Sequence, residues 1–132
     1  MSTRSRIGYV NDKGQYVTAY CHFDGYPSYT GKVLITAYND IDKIKSLVGN
    51  GDFRGIVESV EDIPYYPDSK RKPTVFESFN ELIDYMNRSD QEYLYIYENN
   101  EWVYYTVHNS EYKFNYMGLV EDYFNKQEKE NV

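Results

Sequence analysis

Two β-rich runs, Arg4 to Asn11 and Gln15 to Phe23, flank Asp12-Lys13-Gly14, a short loop with a glycine available for positive φ. The pattern predicts an N-terminal hairpin. On its second strand Val17, Ala19, Cys21 and Phe23 fall on one face and Tyr16, Thr18, Tyr20 and His22 on the other. After Asp24-Gly25-Tyr26-Pro27 the period lengthens, and Val33, Leu34, Ala37 and Tyr38 form a helical stripe opened by Pro27 or Ser28. Asp40 is the expected N-cap of a second helix carrying Ile41, Ile44, Leu47 and Val48, stopped by Gly49-Asn50-Gly51. Residues 52–72 read as an exposed loop with at most a short strand or helical turn, because Pro64, Pro67 and the basic Lys70-Arg71-Lys72 interrupt any period.

The second half is more regular. Ser78 with Glu81 makes a capping box ahead of Phe79, Leu82, Ile83 and Met86. Gln91 to Glu98 and Glu101 to His108 form a second hairpin around Asn99-Asn100, with Tyr93, Tyr95 and Tyr97 on one face of the first strand. Leu119, Val120, Tyr123 and Phe124 indicate a terminal helix. The expected fold is α+β: one domain over residues 1–132, an antiparallel sheet of two β-hairpins with amphipathic helices mainly on one face. Its two parts are residues 1–50, hairpin plus helices, and 77–132, helix, Tyr-rich hairpin and C-terminal helix.

Charge divides the chain unevenly. Residues 1–76 carry 10 basic and 9 acidic groups, whereas 77–132 carry 4 and 12, so the net −7 is C-terminal. Such a balance argues against direct nucleic-acid or membrane binding, since a phosphate backbone needs a basic face, and it suits a basic protein partner instead. Seventeen tyrosines fit strands, contact surfaces and stacking equally well, because each buries area and keeps a polar tip. The single cysteine, with no signal-like start and no membrane-length apolar run, leads to the expectation of a cytoplasmic protein. Two histidines and one cysteine lack paired-ligand spacing, so no metal and no cofactor are expected.

The densest segment runs from Tyr20 to Lys32, where strand gives way to helix. Free N–H groups there could hold an anion with Ser28, Thr30 and Lys32, although the GxxxxGK[ST] spacing is absent; alternatively Gly25, Pro27 and Gly31 only shape a turn. Cys21 and His22 point to opposite faces and form no dyad with each other. His22 and Asp24, with Arg4 and Arg6 on the neighbouring strand, are a candidate polar cluster or a purely structural network.

Thr3-Arg4-Ser5-Arg6-Ile7-Gly8, then Phe23-Asp24-Gly25-Tyr26-Pro27 and Gly31, resemble small, largely uncharacterised proteins of tailed phages and bacteria that open with a TRS-I-G or TRG segment and continue to a (W/F)-D-G-Y-P turn. The likeness covers about the first 50 residues and supplies no activity. It implies host takeover or defence evasion by a small binder in the host cytoplasm.

Three functions follow as expectations. The first is an inhibitor of a host defence or nucleic-acid-handling protein, binding through Glu92, Tyr93, Tyr95, Tyr97, Glu98, Glu101 and Glu111. The second is sequestration of a nucleotide-like small molecule by Arg4, Arg6, His22, Asp24, Tyr26, Tyr29 and Lys32. The third, a hydrolase using His22, Asp24 or Cys21, has no catalytic signature behind it. Exposed tyrosines would also suit a homodimer.

Overall fold

The computed structural model describes residues 2–67, 72–107 and 113–130, with side chains through Lys126. Strands β1 (Ser5–Val10) and β2 (Tyr16–Cys21) form the N-terminal hairpin. Its turn closes with Gly14 at φ 77°, a conformation that favours glycine. A π-helical turn, Pro27–Gly31, leads directly into helix α1 (Lys32–Ala37). Helix α2 (Ile41–Gly49) is capped as its sequence predicts, with the Asp40 carboxylate accepting from the Asp42 N–H. Then come β3 (Thr74–Phe76), α3 (Phe79–Asn87), β4 (Tyr93–Glu98), β5 (Glu101–Val107), β6 (Phe114–Leu119) and α4 (Val120–Glu130). Ser78 Oγ accepts from the Glu81 N–H at the start of α3, and the Glu81 carboxylate accepts from the Glu77 N–H.

The fold is α+β, and its sheet corrects one expectation. The six strands lie in the order β3-β2-β1-β4-β5-β6, and β1 pairs with β4 in parallel, so the sheet is mixed rather than antiparallel. The reason is β3, a three-residue strand the sequence does not announce. It is antiparallel to β2, hence parallel to β4, and the chain must cross the sheet between them. Helix α3 is that crossover, so it covers one face with Leu82 and Met86 against Leu94, Ile96 and Val103. The opposite face carries α1, α2 and α4 over Ile7, Ala19, Tyr95 and Trp102. Thus three of the four helices share a face, and the fourth closes the other.

Burial of both faces changes the role of the tyrosines. Tyr93, Tyr95 and Tyr97 do share one face, but Tyr95 is fully buried, Tyr97 nearly so and Tyr93 half-buried. Strand β4 lies inside the sheet, under α1 and α4, so Tyr95 and Tyr97 are core rather than contact surface, while Tyr93 is packed at the core's edge. The phenol earns its place over phenylalanine by fastening loops. Tyr29, Tyr38, Tyr65 and Tyr95 each donate their hydroxyl to a backbone carbonyl, of Ile56, Val57, Leu47 and Gly25, at 2.6–2.8 Å. Three of these bonds involve the segment 53–65, which is docked on the core despite its irregular backbone. Phe53 sits between Cys21 and Tyr65 in isolated bridges, and Phe53 and Ile56 are fully buried.

Burial pushes the Cys21 thiol and the Tyr105 hydroxyl up to about 12, and raises Tyr38 and Tyr95 as well. These groups stay protonated in the folded chain and ionise earlier in the unfolded one, so the native state holds more protons at alkaline pH. Their contribution is complete below about pH 9, and falls progressively as pH climbs toward 12. Urea midpoints measured from pH 7 to 11 should be flat to about pH 9 and then decline. A midpoint that rises above pH 9 would contradict this.

Candidate functional site

The Phe23–Pro27 turn is built around backbone constraints. Asp24 adopts φ 56°, a left-handed conformation that aspartate tolerates. Gly25 follows with its N–H donated to the Thr3 carbonyl at 2.9 Å, and its own carbonyl takes the Tyr95 hydroxyl. A Cβ at Gly25 would lie 2.8 Å from that same Thr3 carbonyl oxygen and 2.7 Å from Ser5 Cβ. Only glycine lets the turn approach β1 this closely. Thr30 Oγ1 donates to the Asp24 carbonyl at 2.6 Å, and Tyr26 donates to the Asp24 carboxylate at 3.2 Å. The turn's polar groups therefore serve one another.

The side chains grouped for nucleotide binding are not assembled. Tyr26, Tyr29 and Lys32 belong to the π-turn and α1, over the face that carries Tyr95. Tyr29 is tied to Ile56, and the Lys32 ammonium lies 5.2 Å from the centroid of the Phe124 ring. Arg6 in β1 and Arg4 just ahead of it lie on the α3 face, opposite Ile7. His22 stands beside Tyr20, whose hydroxyl is 2.7 Å from His22 Nδ1, while Nε2 is 3.2 Å from Ser2 Oγ. Arg4 pairs with Asp90 at 3.0 Å. The expected polar cluster thus divides into Arg4, Tyr20 and His22 at the sheet end, with Asp24 turned away into its own loop.

Arg6 is the unusual member. It is 4% exposed, and its three nitrogens donate to Gln91 Oε1, Thr18 Oγ1 and the Tyr85 hydroxyl at 3.0–3.1 Å. Its guanidinium carbon is 4.9 Å from the Tyr85 ring centroid. No carboxylate pairs with it among the described residues. The arginine joins β1, β2, α3 and the start of β4, a structural cross-tie with its donors already engaged. Sequence reasoning missed this because Gln91 and Tyr85 lie 85 and 79 positions away.

The acidic candidates fall in two places. Glu92 is exposed just before β4, and Glu98 and Glu101 end the hairpin at the other end of that strand, about 20 Å away at the usual strand rise. Glu111, His108, Lys70 and Arg71 lie outside the described residues. Glu98 and Glu101 are directly opposed partners across β4–β5. Between them Asn99 and Asn100 have φ 52° and 63°, the two positive values of a type I′ turn. The Glu98 carboxylate also reaches Tyr16 and Tyr105 electrostatically and helps keep both hydroxyls protonated.

Beside this tip lies a cavity of about 270 Å³, lined by Ile35, Thr36 and Asn39 of the α1 end, by Tyr97, Asn100, Glu101 and Trp102, and by Leu119 and Glu121. Among the described residues no three His, Cys, Asp or Glu side chains converge to hold a metal ion. None of the described helices is long and apolar enough to cross a membrane. Set against protein-family models, curated proteins and solved structures, the chain matches none of them.

Proposed function

We propose that the protein is a binding module for a basic protein surface, with the β4–β5 hairpin tip as its contact, and that it acts as an inhibitor by occupying a groove that otherwise holds nucleic-acid phosphates. One observation carries this reading: Glu98 and Glu101 face each other across paired strands with no cation bridging them among the described residues. Like charges directly opposite destabilise a sheet, so this pair weakens the free protein and is relieved when a partner supplies a cation. The acid excess points the same way. A single ion pair occurs among the described residues, leaving the acidic surface to project its field outward. The likeness of the N-terminal segment to tailed-phage proteins makes a host defence or nucleic-acid-handling protein the partner to seek.

The test uses the double variant Glu98→Gln/Glu101→Gln. Relative to the parent it should gain about 0.2–1 kcal/mol in urea denaturation, because the repulsion is gone. It should also bind a partner captured from host extract at least tenfold more weakly at low salt, and parent affinity should fall as salt rises. Equal binding by parent and variant at low salt would exclude the hairpin tip as the contact.

A further inference from the structure

The cavity behind the hairpin tip has a recognisable chemistry. Its most buried lining residues are Tyr97 and Trp102, whose rings are tilted with centroids 5.2 Å apart, so the floor is aromatic. Thr36, Asn39, Asn100, Glu101 and Glu121 are exposed and form the rim. The lining includes the Glu121 side chain and no lysine or arginine, and Glu101 borders it with its carboxylate beside Glu98 on the other face of the sheet. At about 270 Å³ it lies just below the range of drug-sized ligand sites, a scale suited to one extended side chain. An apolar stem laid on the aromatic floor with a cationic head beside the Glu121 carboxylate and the amide oxygens of the rim satisfies both layers, whereas an anion or a purely apolar group satisfies only one.

We infer that this cavity receives a lysine or arginine side chain of the basic partner. The inference rests on the binding function proposed above and names the pocket within that contact. The type I′ tip brings Asn100 to the cavity, and α4 brings Glu121 in its first turn. Trp102 anchors the floor by donating its indole N–H to the Tyr38 carbonyl at 2.9 Å.

Trp102 is the chain's one tryptophan, so its indole N–H gives a unique NMR resonance. The experiment titrates the protein with Nα-acetyl-lysine methylamide, its arginine counterpart and the neutral Nε-acetylated lysine analogue. The cationic probes should shift the Trp102 indole and the Asn39 and Asn100 side-chain amides, with a dissociation constant on the order of millimolar. The neutral analogue should leave them in place, and Glu121→Gln should weaken the cationic probes at least threefold while the unliganded indole resonance stays where it was. A response shared equally by the neutral analogue, or no response to either cation, would overturn the assignment. The pocket can fail while the hairpin proposal stands. Partner binding lost in Glu98→Gln/Glu101→Gln but unchanged in Glu121→Gln would retain the tip as contact and remove the pocket.

Discussion

Replacing Arg6 with alanine is expected to destabilise the protein by about 3–4 kcal/mol, combining a cavity under α3 with the loss of three hydrogen bonds. The damage is uneven. Thr18 still donates to the Thr74 carbonyl, and the Tyr85 hydroxyl still accepts from Gln91 Nε2, but Gln91 Oε1 loses its Arg6 donor in a buried position. Substitutions with similar reach separate stem from charge. Arg6→Met keeps much of the apolar stem and removes a buried cation that has no carboxylate, so it should cost about half as much. Arg6→Lys retains the charge without the planar fork that reaches three acceptors at once, and should be nearly as damaging as alanine. Urea unfolding of the three variants checks the order. If lysine proves milder than methionine, the positive charge is what this position supplies, and the cross-tie account is wrong.

Phe53→Ala is expected to cost a comparable 3–5 kcal/mol, as for a large aromatic removed from a packed core. The ring is fully buried and meets Tyr65 edge-on at 5.7 Å, while its backbone exchanges bonds with Tyr20 and His22. Segment 53–65 contains little regular structure, yet Tyr29, Tyr38 and Tyr65 fasten it to the π-turn, the end of α1 and α2. Loss of Phe53 should therefore weaken the whole domain. Unfolding followed by Trp102 fluorescence and by far-ultraviolet circular dichroism should shift together. An early, separate transition with a cost under about 1 kcal/mol would mean that this segment is an appendage rather than core.

The contrast between those two sites explains how far the sequence could be read. Local signals translated well: Asp40 and Ser78 cap their helices, Asn99-Asn100 turns its hairpin, and Cys21 faces inward with Val17 and Ala19. Each depends on residues a few positions apart. Strand β3 is too short to show a period, and without it the crossover through α3 and the parallel β1–β4 pairing could not be inferred. Strand β6 was hidden for another reason. Gly118, at φ 103°, accompanies a shift in its register with β5, and Leu119 reads as readily into the following helix. The acidic hairpin tip was legible in part, since Glu98 and Glu101 flank an evident turn. That the tyrosines beside them face inward was not, because period two gives a shared face but not what covers it. The cavity joins α1, β5 and α4, a tertiary juxtaposition with no local signature.

The parallel pairing of β1 with β4 also sets an order of events during synthesis. Ser5 pairs with Tyr93, 88 positions later, whereas the other partner of β1 is its immediate neighbour β2. The first hairpin can therefore form as soon as it leaves the ribosome, but one edge of β1 stays unpaired until two-thirds of the chain has followed. For that interval Ile7 and its neighbours lack the β4 side of the sheet, a nascent chain whose most central strand is its longest-exposed one. Folding speed, more than final stability, then depends on how quickly α3 delivers β4 to that waiting edge.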